Sequence, residues 1–152
     1  MNILIDADAC PVTDIAIACA RRHGVPVTLF CDAAHRMERP GAQTITVLRG
    51  ADSADFALVN RVKPGDIVIT QDYGLAAMAL AKKAHALHQN GMAYTNDNID
   101  ALLLARHTAR EVRMAGGRLK GPAKRTAAQD HAFRASLEAL LTTLASTERN
   151  AP

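Results

Sequence analysis

The sequence predicts an α/β fold in three layers, with a mostly parallel central sheet flanked by helices on both faces. Three observations carry the prediction. Short apolar runs alternate with stretches whose apolar residues recur at helical spacing; the runs are short enough for interior strands; and about half of the 152 residues are apolar, enough for one full core. In such sheets ligands bind beyond the carboxyl ends of the strands, so the residues that close each run are the first place to look for function.

The first run, Ile3 to Ile5, closes on Asp6 and Asp8. Pro11 suits the first position of a helix whose apolar face is Val12, Ile15, Ala16, Cys19 and Ala20, and Gly24 stops it. Val25 to Phe30 and Thr44 to Leu48 read as strands, joined by a polar connection containing Pro40. Asp52-Ser53-Ala54-Asp55 opens a second helix through Val62, and Lys63-Pro64-Gly65-Asp66 turns the chain into a strand, Ile67 to Thr70. That run again leads to an acid, Asp72. A helix from about Leu75 to Ala84 comes next; Gly91 then breaks the chain before Met92-Ala93-Tyr94. Asn96-Asp97-Asn98 offers caps to a helix from near Ile99 to Gly116-Gly117, with Asp97 and Asp100 as helix-start residues. A last amphipathic helix carries Phe133, Leu137, Leu140, Leu141 and Leu144. One domain over residues 1–146 is expected, with 147–152 as a fraying tail.

A formal charge of +3 and a pI near 9.0 permit a polyanionic partner without requiring one. The opening residues lack a basic leader and place carboxylates where a signal peptide needs apolar residues, and no stretch reaches the roughly 18 apolar residues of a bilayer span. A protein with no membrane association is expected. The three cysteines, Cys10, Cys19 and Cys31, show no paired spacing, which fits a reducing cytoplasmic compartment. Cys10 lies near a helix start without a readable base partner and is expected to be structural. His23, His35, His85, His88, His107 and His131 have no metal-protease or finger spacing and are expected at the surface or at helix ends.

Asp6 and Asp8 are two apart at a strand's end, so the strand period of two points both side chains the same way. Asp72 reaches the same rim if its strand neighbours the first, and Asp55, in the first turn of a helix, can close the cluster. Converging carboxylates repel, and a hard cation, Mg2+ or Mn2+, removes that repulsion while keeping some water and binding a substrate phosphate. Such a metal generates hydroxide and stabilises a leaving oxygen, the equipment of phosphodiester hydrolysis. Each acid also has an ordinary use: Asp8 in a turn, Asp52 or Ser53 as an N-cap with Asp55 as its partner, Asp72 at the start of a turn.

On the helix from Ile99, Arg106, Arg110 and Arg113 continue the stripe begun by Ile99 and Leu103, so an apolar stripe becomes cationic as it leaves the core. Arg118, Lys120, Lys124 and Arg125 extend the charge into a glycine-proline loop. Phosphates suit this segment, as does plain solvation with cations complementing the helix C-terminus. The only aromatic residues are Phe30, Phe56, Phe133, Tyr73 and Tyr94, with no interleaved stacking platform, so any RNA partner is expected to be held through its phosphate backbone.

Asp6-Ala-Asp8 after an apolar strand resembles the first motif of haloacid-dehalogenase-type phosphatases, but Cys10 replaces the usual Thr or Val and Asp72 is followed by Tyr73-Gly74 with no second acid. A wider resemblance covers most of the chain. Asp6-Ala-Asp-Ala-Cys-Pro-Val12, Asp52-Ser-Ala-Asp55, Gly65-Asp-Ile-Val-Ile-Thr-Gln-Asp72, Leu75-Ala76 and Gly121-Pro122 look like the YaiI/YqxD family, a bacterial group considered PIN-like. The resemblance implies a PIN-like fold and a metal-binding set of Asp6, Asp55 and Asp72, with Asp8 as a further acid and Asp52 able to replace Asp55. Tyr73-Gly74 departs from the family pattern without touching the acid. A Mg2+- or Mn2+-dependent PIN-like ribonuclease is therefore the leading expectation, with Asp6, Asp8, Asp55 and Asp72 as metal-binding catalytic residues. A non-catalytic RNA-binding or regulatory domain and a small-molecule phosphatase are the alternatives.

Overall fold

The computed structural model describes residues 1–48, 53–118 and 123–152. Among them the elements run β1 (Ile3–Asp6), α1 (Thr13–His23), β2 (Val27–Asp32), a single 3-10 turn (Ala33–His35), β3 (Gln43–Val47), α2 (Ser53–Arg61), β4 (Ile67–Ile69), α3 (Tyr73–Ala81), β5 (His85–Leu87), β6 (Ala93–Tyr94), α4 (Asn96–Met114) and α5 (Ala127–Asn150). The strands form one sheet in the order β3-β2-β1-β4-β5-β6, parallel except for the antiparallel β5–β6 pair. The expected three-layer α/β architecture is present.

Strand parity divides the core into two layers. Ile3, Ile5, Leu29, Ile67 and Ile69 pack on one side with Ala16 and Ala20 of α1 and Phe133, Leu137 and Leu141 of α5. Leu4, Phe30, Val68 and Ala86 pack on the other with Leu58 of α2, Leu75, Ala76 and Ala79 of α3 and Ile99 of α4. Strands buried on both faces read as continuous apolar runs, which is why β1 and β4 were legible.

The differences from the sequence reading have local causes. β2 starts at Val27 because Val25 N–H is spent on the Ala20 carbonyl at the end of α1, and it runs on to Asp32 rather than stopping at Phe30. Pro11 and Val12 lie in a turn, and α1 opens at Thr13. α3 starts at Tyr73, capped by Asp72, and ends at Ala81, since Lys83 has φ of 64°, outside any helix. β5 and β6 are three and two residues long, too short to show a period. Thr95, not the Asn96-Asp97-Asn98 run, is the N-cap of α4: it has extended backbone angles, its hydroxyl accepts from Asn98 N–H, and Asn98 answers with its own side chain. The described α5 continues to Asn150, across the segment expected to fray.

Gly91, in the β5–β6 connection, has φ of 95°, and a Cβ there would lie 2.7 Å from the Ala132 carbonyl oxygen of α5. Gly65 has φ of 87° with open space around it. Gly65→Ala should therefore destabilise by only ~1–2 kcal/mol, the cost of left-handed backbone. Gly91→Ala adds a backbone clash and should lower stability by a further ~1–3 kcal/mol in urea titrations. Equal losses at the two positions would show that the β5–β6 turn does not press on α5.

Candidate functional site

The chain reverses direction across the sheet between β1 and β4, and the crevice outside their carboxyl ends is where parallel sheets of this order bind ligands. Asp6 ends β1, and Thr70 and Asp72 follow β4, with Ile5 registered against Ile69. Thr70 Oγ1 links them: it donates to Asp6 Oδ2 at 3.0 Å and accepts from Asp72 N–H at 3.0 Å. The Thr70 carbonyl in turn accepts from buried Tyr94 Oη at 3.1 Å, which fixes the position of the link.

Each acid of this rim has one oxygen committed to the protein. Asp6 Oδ2 holds the Thr70 hydroxyl. Asp72 Oδ1 accepts from Gly74 and Leu75 N–H at 2.8 and 3.2 Å and faces Arg106 Nη1 at 3.3 Å. Gly74 permits that approach, since a Cβ there would stand 3.2 Å from Asp72 Oδ1. Asp8 Oδ2 accepts from Asp32 N–H at 3.2 Å, while Asp8 Oδ1 is shielded from solvent with no hydrogen-bond partner among the described residues. Asp6, Asp8, Cys10, Thr70, Gln71 and Gln89 line a tight hollow with no room for a water-sized sphere. Burial pushes the Asp6 pKa up to about 6; the Thr70 hydrogen bond opposes the rise, and the charges of Asp8 and Asp72 add to it.

Asp6, Asp8 and Asp72 thus come to one rim. Asp55 stands half-buried in the first turn of α2, the helix that packs on β1 and β2. Asp52 lies outside the described residues, as do Lys120 and the Gly121-Pro122 pair. Among the described residues the trio whose donor atoms all lie within 4.8 Å of one another is Asp8, Asp32 and His35. Asp32 was not singled out from sequence, although it ends a strand just as Asp6 does, and His35 lies exposed at the end of the 3-10 turn, as a surface or helix-end residue. Ending β2 early at Phe30 hid Asp32. Thr70 was also missed; its parity, two residues before Asp72, was the available signal.

Among the described residues of the cationic set, Arg106 is the one ion-paired to an acid of the rim. Arg110, Arg113, Arg118 and Lys124 are exposed, and from Leu104 to Arg118 only Ala109 has even partial burial. Arg125 is otherwise engaged: its guanidinium donates to Asp130 Oδ1 and to the Gln89 carbonyl, both at 2.8 Å, tying the start of α5 to the β5–β6 connection. Burial pushes the Cys10 thiol up, away from a reactive thiolate. A cavity of about 870 Å3 opens at the amino ends of the strands between Asn2, Gln43, Arg61 and Lys63, away from every acid of the rim. Among the described residues no helix is long and apolar enough to cross a membrane.

A search of the solved structures found no match to this fold. The chain is similar to the UPF0178 protein of Exiguobacterium sibiricum, 57% identical over 142 residues that cover 93% of this chain and 97% of the relative. It is likewise similar to the UPF0178 proteins of Clostridium acetobutylicum, 47% identical over 93% of this chain and 97% of the relative, and of Ruminiclostridium cellulolyticum, 47% identical over 90% of each. The sequence profile described as "Uncharacterized BCR, YaiI/YqxD family" matches residues 4–143, which embrace both strand-end acids and the helices that position them. The chain therefore belongs to the YaiI/YqxD family.

Proposed function

We propose that the protein is a PIN-like, Mg2+- or Mn2+-dependent nuclease acting in the cytoplasm on the phosphodiester backbone of RNA. The observation that carries the reading is the Asp6–Thr70–Asp72 bridge at the crevice between β1 and β4. Asp6 Oδ1 and Asp72 Oδ2 have no hydrogen bond among the described residues, and all donors here are oxygens, the set a hard dication takes. Asp6 and Asp72 do not close into a tight trio with a third donor, so the cation they suit is one that keeps several waters and completes its shell with substrate phosphate. Asp8 adds negative charge beside Asp6, and Asp55, in the first turn of α2, is the fourth acid of the proposed set. When bound, the metal supplies a hydroxide near neutral pH and neutralises charge on the leaving oxygen.

The chain's own residues do the rest. Thr70 orients Asp6, and the α3 N–H groups hold Asp72. Arg106 offers a guanidinium at the edge of the rim, with Arg110, Arg113, Arg118 and Lys124 continuing the cationic track for phosphates.

On a panel of RNAs with added Mn2+, wild type should cleave, and Asp6→Asn and Asp72→Asn should each lower the rate by about 10²–10³-fold, the scale of losing one charge-stabilising group. Retained binding with steep salt dependence but no cleavage would favour an RNA-binding module, and phosphate release from small monoesters would favour a phosphatase.

A second test needs no substrate. The folded Asp6 carboxyl keeps its proton up to about pH 6 against an ordinary value of 3.8, so its stabilising contribution is complete below 3.8 and is lost as pH rises through 6. In chelator at pH 8, Asp6→Asn should be more stable than wild type by up to about 3 kcal/mol, the difference vanishing near pH 4. Saturating Mn2+ should reverse the order. A variant less stable than wild type throughout would contradict the reading.

A further inference from the structure

The amino edge of the sheet, opposite the acidic rim, carries a cavity that the nuclease reading leaves unused. α2 packs over β1, β2 and β3, burying Leu58, and ends at Arg61. Past its end the sheet face stays open, and the cavity there, about 870 Å3, falls within the size range of small-molecule sites. We propose that this cavity binds a phosphate monoester with a hydrogen-bonding body, the phosphate at Arg61 and Lys63 and the body over β2 and β3. The proposal goes beyond the nuclease reading and shares no residue with it.

Strand parity builds the floor. Thr28 and Gln43 are register partners, and each stands two residues before an apolar member of the layer beneath α2, Phe30 and Ile45. Both therefore face the cavity, and the layer turns from apolar to polar where α2 stops covering it. Asn2 precedes β1 at the same edge, and Asn60 comes from the last turn of α2. Thr28 and Ile45 are half-buried, whereas Asn2, Gln43, Asn60, Arg61 and Lys63 are exposed to whatever enters.

Charge selects the ligand. Arg61 and Lys63 bring two cations, and no residue lining the cavity is acidic. The guanidinium carbon of Arg61 lies 5.9 Å from the centre of the Phe30 ring, which draws the cation over the floor. Buried Asp66 spends its two oxygens on the backbone N–H groups of Asn2 and Lys63 and so fixes two walls. A cation at the end of a helix also complements the dipole, which accounts for Arg61 alone. The independent observation is the convergence of free polar groups. Among the described residues the side chains of Asn2, Thr28, Gln43, Asn60 and Lys63 make no hydrogen bond or ion pair, and Arg61 makes only its contact with Phe30. Two cations match a dianionic phosphate, and three carboxamides with one hydroxyl both donate and accept, as a sugar or a base edge requires.

The test uses the full chain in excess chelator with four probes: 5′-AMP, ribose 5-phosphate, adenosine and inorganic phosphate. Titration with one or both esters should shift the backbone amide resonances of Thr28 and Gln43, and the tighter of the two tells a nucleotide from a sugar phosphate. Adenosine and inorganic phosphate should each bind at least tenfold more weakly than the better ester. Arg61→Gln and Lys63→Gln, both at exposed positions, should each weaken ester binding about tenfold, the loss of one charge-assisted hydrogen bond, and Asp72→Asn should change it less than twofold. Unmoved Thr28 and Gln43 resonances, binding that survives both substitutions, or inorganic phosphate binding as tightly as the esters would overturn the proposal. So would a dimer that Gln43→Arg dissociates, since a second copy of the chain would then occupy the cavity. RNA cleavage without ester binding here would remove this proposal alone, while an inactive wild type that binds an ester here would remove the nuclease reading alone.

Discussion

The structure depends on a parallel sheet that reverses direction between β1 and β4 and so brings two strand-end acids to one crevice. The strand pair is pinned at both ends. At the amino end, buried Asp66 accepts Asn2 N–H and Lys63 N–H, both at 2.9 Å, which locks the entry of β4 against the start of β1. At the carboxyl end, the Thr70 hydroxyl joins Asp6 to the backbone of Asp72, and Tyr94 holds Thr70 from beneath. Like charges are thereby kept close by groups that cannot neutralise them. Burial and the charges of Asp8 and Asp72 all work against the ionised form of Asp6.

The surroundings of the rim follow from the same electrostatics. Arg106 reaches Asp72 from α4, and Gly74 leaves room for the Asp72 carboxylate at the start of α3, where a Cβ would stand 3.2 Å from Oδ1. Beyond Arg106 the helix projects cations into solvent, away from the core that Ile99 enters. Negative charge therefore concentrates at the strand ends, with positive charge beside it on a neighbouring helix. This is the polarity a phosphate backbone needs if it is to be gripped along one surface and met by a cation at the other.

How much of this was legible in the sequence depended on how local each signal was. Asp6 closes an uninterrupted apolar run and Asp72 follows one by two polar residues, so their place at strand ends could be read directly, and the helix pattern between them implied parallel strands. Asp32 belongs to the same class but was lost to a two-residue error at the end of β2. Thr70 carried no charge to draw attention, although its hydroxyl is what joins the two acids. His35 lacked any motif spacing because its partner Asp8 is distant in sequence and adjacent only through the sheet. Arg125 looked like one more cation of a basic loop, and only the folded chain shows it bound to Asp130 and Gln89. β5 was not read at all, and β6 showed only as the segment after the Gly91 break, because pairs and triplets of residues have no measurable period.

The central claim is that Asp6 is an acid held in a protonation state that a cation would change. Titrating its side-chain carbon by 13C NMR in metal-free protein, then again in excess Mg2+, reads that directly. The midpoint should stand near 6 without metal and fall well below that value with it. An Asp6 that titrates in the ordinary carboxylate range and ignores Mg2+ would contradict the claim.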